Sequence, residues 1–380
     1  MQTKQVVIRQ VSELENLNQS SYDFQPQLIL IFADQIFCAD NSIFQKIQSS
    51  FPNSKIVGCS TAGEISDKGI SEKTIVLTLI KFDKTIFQIA NSEFHGLEDS
   101  FQSGQRLAEK LPQENLKAIF ILGQGVNING SLLIDGIRSI IPKGVLITGG
   151  LAADNGKFEK TYVIHDQDTK SNHNIAIGFY GDHLVFSHGS FGGWQSFGPA
   201  RKITKSNGNI LAEIDDQPAL ELYKKYLGKY ADELPASALL YPLSLISEDD
   251  IDQGIIRTIL GIDHETKSLI LAGDIPETGF VKLMHANTNL LVEAAEEASR
   301  QVLKKISSSE GGLTIMISCV GRKLVMGERT EEEIETVRSL LGKSMMQTGF
   351  YSNGEISPHL DSLDCKLHNQ TMTITYINET

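Results

Sequence analysis

Two segments near opposite ends of the chain read almost alike: Gly58-Cys59-Ser60-Thr61-Ala62-Gly63-Glu64-Ile65-Ser66 and Gly349-Phe350-Tyr351-Ser352-Asn353-Gly354-Glu355-Ile356-Ser357, with five of nine positions identical. Each copy follows an apolar run, a loop and an amphipathic stretch, and each precedes another strand-like segment. Repetition of a strand–helix–strand unit predicts halves that frame a shared site. Each half would bring one glycine-flanked carboxylate, Glu64 or Glu355, to that site. The pattern points to a small-molecule binder more than to a catalyst.

The chain has 380 residues, enough for two or three domains, with 41% hydrophobic and 21% charged residues as in soluble globular proteins. A net charge of −13 without a basic stripe argues against nucleic acid and against anionic membrane. No apolar run approaches the roughly 20 residues that span a bilayer, so no membrane insertion is expected. Residues Met1 to Ile8 lack the apolar core of a secretory signal. Cys38, Cys59, Cys319 and Cys365 are scattered without a CxxC pair, which fits reduced thiols in a cytoplasmic protein.

Leu28-Ile29-Leu30-Ile31-Phe32 predicts a buried strand, and Ile43, Ile47 and Phe51 give the following helical period. The pattern begins again at Ala118–Leu122, with a helix through Leu133, Ile137 and Ile141 and a strand ending in Gly149-Gly150. Asp215 or Asp216 is the expected cap of a helix that Gly228 ends, and the main boundary is placed there. The second half reads as β segments near 255–260, 268–272 and 280–285, then a helix from Asn287 to Ile306 and a linker Ser307–Gly312. Thr330-Glu331-Glu332-Glu333 has the spacing of a capping box. The fold class is therefore α/β: mixed sheets built from repeated strand–helix–strand units, in two domains with a cleft between them. Ligands of such sheets sit beyond the carboxyl ends of strands, at Ala33-Asp34, Gly123-Gln124-Gly125, Thr148-Gly149-Gly150 and Ser318–Arg322.

These segments resemble the FIST family of bacterial sensory proteins, a FIST N domain followed by a FIST C domain. The N-domain resemblance rests on Gly58–Ile65, Gly149-Gly150-Leu151-Ala152-Ala153-Asp154, Gly193-Trp194, Gly198-Pro199, Asn207-Gly208-Asn209, Asp215, Pro218-Ala219-Leu220 and Tyr223. The C-domain resemblance rests on Ser318-Cys319-Val320-Gly321-Arg322, Glu331-Glu332-Glu333, Gly349-Phe350-Tyr351, Gly354-Glu355-Ile356 and His368-Asn369-Gln370-Thr371. Ala153 departs from the family's usual glycine. The resemblance covers most of residues 27–371 and implies domains at 27–227 and 228–371. It further implies ligand sensing, proposed for the family to concern small molecules such as amino acids. Relatives carry kinase, cyclase or chemoreceptor domains, so signalling would pass to a separate partner of that kind. Some relatives bind haem and sense nitric oxide.

The expected ligand contacts are Ser60, Thr61, Glu64, Asn127, Gly149, Gly150, Asp154, Cys319, Arg322, Tyr351 and Glu355. Glu64 and Glu355 can accept from a ligand ammonium group, or cap backbone N–H groups in a tight turn. Arg322 can hold a carboxylate in two-pronged fashion, or bridge the domains to one of those glutamates. Cys59 and Cys319 read as inert buried thiols, with a thiolate nucleophile of a hydrolase, activated by a residue such as His368, as the alternative. No zinc spacing, dinucleotide fingerprint or Walker A sequence occurs. No cofactor is expected on the first reading. On the alternative, a haem would need one imidazole among His165, His173, His183, His188, His285 and His368 facing an apolar pocket.

Overall fold

The computed structural model describes residues 1–380 except 250–251, 307–310, 343 and 360–363 and the side chains of 252–253. Most of the expected linker at Ser307 to Gly312 thus lies outside the described residues. The repeat is threefold. Three six-stranded sheets share one strand order. In the first, Gln2–Ile8, Ile75–Lys81, Leu28–Asp34 and Lys55–Thr61 lie side by side. In the second the order is Ile86–Glu93, His173–Tyr180, Leu116–Gly123 and Leu146–Leu151. In the third it is Leu184–Phe191, Met372–Glu379, Leu313–Cys319 and Met346–Ser352. The last two strands of each set run parallel, and the others are antiparallel.

A helix makes each parallel crossover: Asn41–Ser50, Gly130–Arg138 and Glu331–Leu341. The first is capped by Asp40, which accepts from Ser42 N at 2.9 Å, and buries Ile43 and Ile47. Asn129 caps the second by accepting from Leu132 N at 3.1 Å. The third departs from the expected capping box. Thr330 already has helical dihedrals and donates its hydroxyl back to Gly327 O, because a 3-10 turn leads straight into the helix. Glu333 is thereby free to turn inward.

Each sheet is completed by a hairpin from another unit. The hairpin Glu64–Ser66/Gly69–Ser71 of the first unit joins the third sheet, that at Val163–His165/Asp168–Lys170 joins the first, and that at Gly354–Pro358/Cys365–His368 joins the second. Three buried backbone bonds close this ring: Ala62 N to Tyr351 O at 2.8 Å, Ala153 N to Ser60 O at 2.8 Å and Asn353 N to Leu151 O at 3.3 Å. Apolar side chains of all three sheets, among them Phe32, Cys59, Phe120, Ile177, Ile317 and Phe350, form the central core.

The glycine that opens each copy is dictated by the crossover. A Cβ on Gly58, Gly149 or Gly349 would stand 2.0, 2.1 or 1.8 Å from the carbonyl oxygen of Ile31, Ile121 or Met316 on the parallel neighbour. That neighbour is backbone and cannot yield, so only glycine fits.

A β-rich body is inserted into the third unit, between its strand Leu184–Phe191 and its long helix Thr288–Leu303. Its sheet contains Gln195–Asn207, Ile210–Ile214, Leu243–Ile246, Asp252–Arg257, Ile259–Asp263, Ser268–Leu271 and Phe280–His285. The core of this body unites Ile203, Leu220, Tyr223, Leu243, Leu269 and Leu283. The break expected at Gly228 therefore falls inside one packed body, and the hairpin exchange mixes the two halves further. Asp215 does not cap the helix Ala219–Leu227; its carboxylate accepts from Lys202 N at 2.9 Å and Arg201 Nη1 at 3.1 Å.

Candidate functional site

The two acidic turns are struts. Glu64 Oε1 accepts from Thr61 Oγ1, and its Oε2 accepts from Thr74 N at 3.1 Å and Thr74 Oγ1 at 2.7 Å. Glu355 repeats the pattern: Oε1 takes Ser352 Oγ at 2.6 Å, and Oε2 takes Thr371 N and Thr371 Oγ1, both at 3.0 Å. Each carboxylate thus ties its exchanged hairpin to the start of its own unit's last strand. Both are fully buried, and desolvation pushes each pKa up to about 7 against the pull of these bonds. In the second unit Val163 takes the equivalent register position, and eight residues inserted after Ala153 lead to it.

Arg322 joins neither glutamate. Its Nη2 and Nε donate to Glu333 Oε2 at 2.7 and 3.2 Å, and Nη1 and Nη2 also reach the carbonyls of Gly192 and Leu291. Glu333 Oε1 also accepts from Ser318 Oγ at 2.8 Å and from Tyr351 OH at 2.5 Å. All four side chains are buried, so the network ties the long helix, the crossover helix and two central strands together. Burial, with Glu333 alongside, raises the Tyr351 phenol well above its usual range. Glu333 was legible only as an acidic residue near a helix start; its proximity to Arg322 needs the inward turn described above.

The other expected contacts are equally internal. Ser60 Oγ donates to Ala153 O at 2.8 Å and accepts from Tyr162 N at 3.0 Å. Asp154 closes the inserted loop by accepting from the N–H groups of Phe158, Glu159 and Lys160 at 2.8–3.0 Å. Gly149 and Gly150 lie buried at the crossover, where a Cβ on Gly150 would meet Ile317 Cγ2 at 2.7 Å. Cys59 and Cys319 are buried, and desolvation pushes both thiols up, away from the thiolate a nucleophile needs. His368 contacts Ser357 O at 3.1 Å and pairs with neither thiol. The expected convergence of Glu64, Arg322 and Glu355 on a common cleft is therefore corrected: all three face inward with their partners already in place.

Asn127 is the exception. It is exposed, with φ 57°, at the carboxyl end of strand Leu116–Gly123. There it lines a cleft of about 270 Å³ with Gly125, Val126, Ile128 and Asn129. Phe158 of the inserted loop also lines it, and Asn209 with residues 260–261 and 270–273 of the β-rich body completes the lining. Asn129 holds the two sides together by donating to Asp274 Oδ1 at 2.7 Å. Asn209 donates to Leu271 O at 2.9 Å, which fixes its amide plane.

A second concavity, about 540 Å³ and open, runs between the β-rich body and the helix Val320–Met326. Its lining is Phe197, Leu240, Tyr241, His285, Ala286, Leu324 and Val325. Of the histidines considered, His285 stands on this lining, half-buried and edge-on to Phe197 at 5.5 Å between ring centroids. His188 and His368 are buried in the core, where desolvation lowers them to about 4 and about 3. His165 and His173 lie at strand ends beside Asn91 and Asn172, and His183 is exposed in a turn. Trp194 is a core residue that donates to Gln370 O at 2.9 Å.

Among the described residues no cluster of three or more His, Cys, Asp or Glu side chains could hold a metal ion, and no helix is long and apolar enough to cross a membrane.

Comparison with known proteins gives two matches along the chain. Residues 27–217 match the FIST N domain, and residues 219–358 match the FIST C domain. An uncharacterized protein of Methanocaldococcus jannaschii is 24% identical over 339 residues, covering 81% of this chain and 63% of that protein. The chain thus spans less than two thirds of that relative's length. A crystal structure of cyanuric acid hydrolase from A. caulinodans is similar over 99% of this chain and 98% of that one, at 7% identity and a TM-score of 0.35. At that level the likeness bears on neither fold nor function.

Proposed function

The chain belongs to the FIST family through both its N and its C domain, and we propose that it is a sensory protein that binds a small polar ligand in the Asn127 cleft. FIST domains are associated with signal-transduction sensing. The observation that carries the reading is the position of the cleft. It sits beyond the carboxyl end of a parallel strand, where α/β sheets take ligands, and its walls come from both matched domains. An exposed asparagine in left-handed backbone stands on a lining with few polar side chains, as in small-molecule sites. The ligand class is an amino acid or a related metabolite.

A ligand that bridges the second unit and the β-rich body favours whichever relative arrangement fits it better, and that difference is the signal. The receiver is a separate kinase, cyclase or chemoreceptor. Four buried, unpaired cysteines suit a reducing cytoplasm. A thermal-shift screen of amino acids and small acids tests the reading, since a ligand at 100 times its Kd adds about 2.7 kcal/mol. Asn127→Ala and Asn209→Ala are each expected to weaken the hit at least about tenfold, the worth of one good hydrogen bond. Unchanged affinity in both variants would place the ligand elsewhere.

The second reading is a haem-based gas sensor, favoured by His285 on the apolar groove. One imidazole among Phe197, Leu240, Tyr241 and Val325 fits a haem with a single protein ligand. Haemin titration should then give a Soret band that shifts or vanishes in His285→Ala; an identical spectrum in the variant rejects this site.

A further inference from the structure

A pocket of about 230 Å³ opens where the first and third units meet. Its lining is Thr3 of the edge strand Gln2–Ile8, Asp67 in the turn of the hairpin Glu64–Ser66/Gly69–Ser71, Arg338 near the end of the crossover helix Glu331–Leu341, and residues 344–347. None of these residues is shared with the Asn127 cleft. Asp67 and Arg338 are half-buried and opposite in charge, yet they do not pair with each other. Neither charged group has a hydrogen-bond or ion-pair partner among the described residues. Gln347 lines the same pocket from its inner side, and neither atom of its buried amide has a partner.

The frame around these groups is already fixed. Asp67 N donates to Gln5 Oε1 at 2.8 Å, and Gln5 Nε2 donates to Gln347 O at 2.9 Å, so one side chain holds both the turn and the strand. Glu331 Oε2 accepts from Ile70 N at 3.1 Å, which ties the hairpin to the helix that carries Arg338. Asp67 and Gln347 each stand two residues beyond the paired positions Ile65 and Gly349. Alternation therefore sends both side chains to the face of Ile65, which shares a core with Ile334 and Val337 of that helix. Half-buried charges left without partners cost free energy, and a ligand of matching form recovers it.

We infer that this pocket is a second ligand site, for a small zwitterion whose carboxylate and ammonium groups sit on one carbon or on neighbouring ones. The guanidinium of Arg338 is a planar fork suited to the carboxylate. The Asp67 carboxylate accepts from the ammonium group. A simple anion would be drawn to Arg338 and repelled by Asp67, and a simple cation the reverse, so only a molecule with both charges gains from both. The volume lies below the roughly 300–1,000 Å³ of sites for drug-sized ligands, so the ligand has few heavy atoms. The site does not depend on the cleft.

The probes are glycine, L-alanine and L-serine, with acetate and methylamine as analogues that keep one charge each, applied to the full chain. At least one zwitterion should raise the melting temperature at a concentration where neither analogue does. Arg338→Met keeps most of the side chain's stem, and Asp67→Asn keeps its shape. By calorimetry each should weaken that zwitterion at least about tenfold, the worth of one charge-assisted hydrogen bond, while Asn127→Ala leaves it unchanged. A shift that survives both Arg338→Met and Asp67→Asn overturns the inference; if Asn127→Ala abolishes that shift, the ligand sits in the cleft and the proposed function stands. No response to any of the three zwitterions, or an equal response to acetate, also overturns it, while the cleft is judged by the wider screen. So does a loss of unliganded stability in both single variants that the double variant restores, since the two charges would then be each other's partners.

Discussion

Replacing Arg322 by alanine should cost about 3–5 kcal/mol of unfolding free energy, because it leaves Glu333 charged and buried without its counter-ion. The loss reaches beyond the pair. Arg322 also satisfies the carbonyls of Gly192, at the entrance to the β-rich body, and Leu291, in the long helix. Those groups would be orphaned together. The double variant Arg322→Met/Glu333→Leu removes both charges at similar volume, and should recover at least half of the loss despite the carbonyls and Tyr351 hydroxyl it strands. Urea denaturation of the wild type, single and double variants measures this. A single variant as stable as the wild type would mean that Arg322 is not part of the framework.

The second large effect is on pH dependence. Glu64 and Glu355 have folded pKa values of about 7 against ordinary values of 4.5. Between those limits the folded state holds more protons than the unfolded one, so their contribution to stability is complete below about pH 4.5 and lost as pH rises through about 7. At about 1.4 kcal/mol per unit this approaches roughly 3 kcal/mol for each carboxyl. His188 and His368 act in the opposite sense. Their folded pKa values lie below the ordinary 6.5, so their contribution is lost as pH falls below it. The profile of the whole protein is therefore flattened, and the difference between wild type and variant is what isolates the effect. Glutamine can present its oxygen to Thr74 N, or Thr371 N, and its NH₂ to the hydroxyl on the other side. Glu64→Gln and Glu355→Gln should thus change little near pH 5 and gain on the wild type above pH 7. A difference that does not vary with pH would show that these carboxyls titrate normally.

Much of the architecture was legible because its signals are local. Buried parallel strands need unbroken apolar runs, and Leu28–Phe32, Ala118–Leu122 and Leu313–Ile317 supply them. The crossover helices announce themselves by period, and Asp40 and Asn129 accept at the starts of two of them, as Asn287 does at the start of the long helix. The third copy of the repeat was hidden, because Val163 stands where the others have glutamate and an inserted loop separates it from Gly149. The edge strand Gln2–Ile8 was hidden as well, since an alternating strand with one wet face carries a weak apolar signal.

The site was less legible. The glycines and glutamates of the repeat stand out in sequence, but hairpin exchange is a long-range event that no local pattern reports. It turns those residues into joints between units. The same holds for Arg322, whose partner Glu333 comes from the crossover helix, while the candidate glutamates belong to the hairpins. Asn127 was readable from its place after a strand end. Its opposing wall, built from residues 260–273, was not, because nothing in the sequence tells which face of the β-rich body meets the second unit.

The most direct measurement is calorimetric affinity for the best hit of the metabolite screen in four variants. Glu64→Gln and Glu355→Gln should bind within about threefold of the wild type, a difference of roughly 0.6 kcal/mol, whereas Asn127→Ala and Asn209→Ala should lose tenfold or more. Binding abolished in a well-folded Glu64→Gln or Glu355→Gln variant, with Asn127→Ala unaffected, would contradict the assignment of the acidic turns to the framework and of the cleft to the ligand.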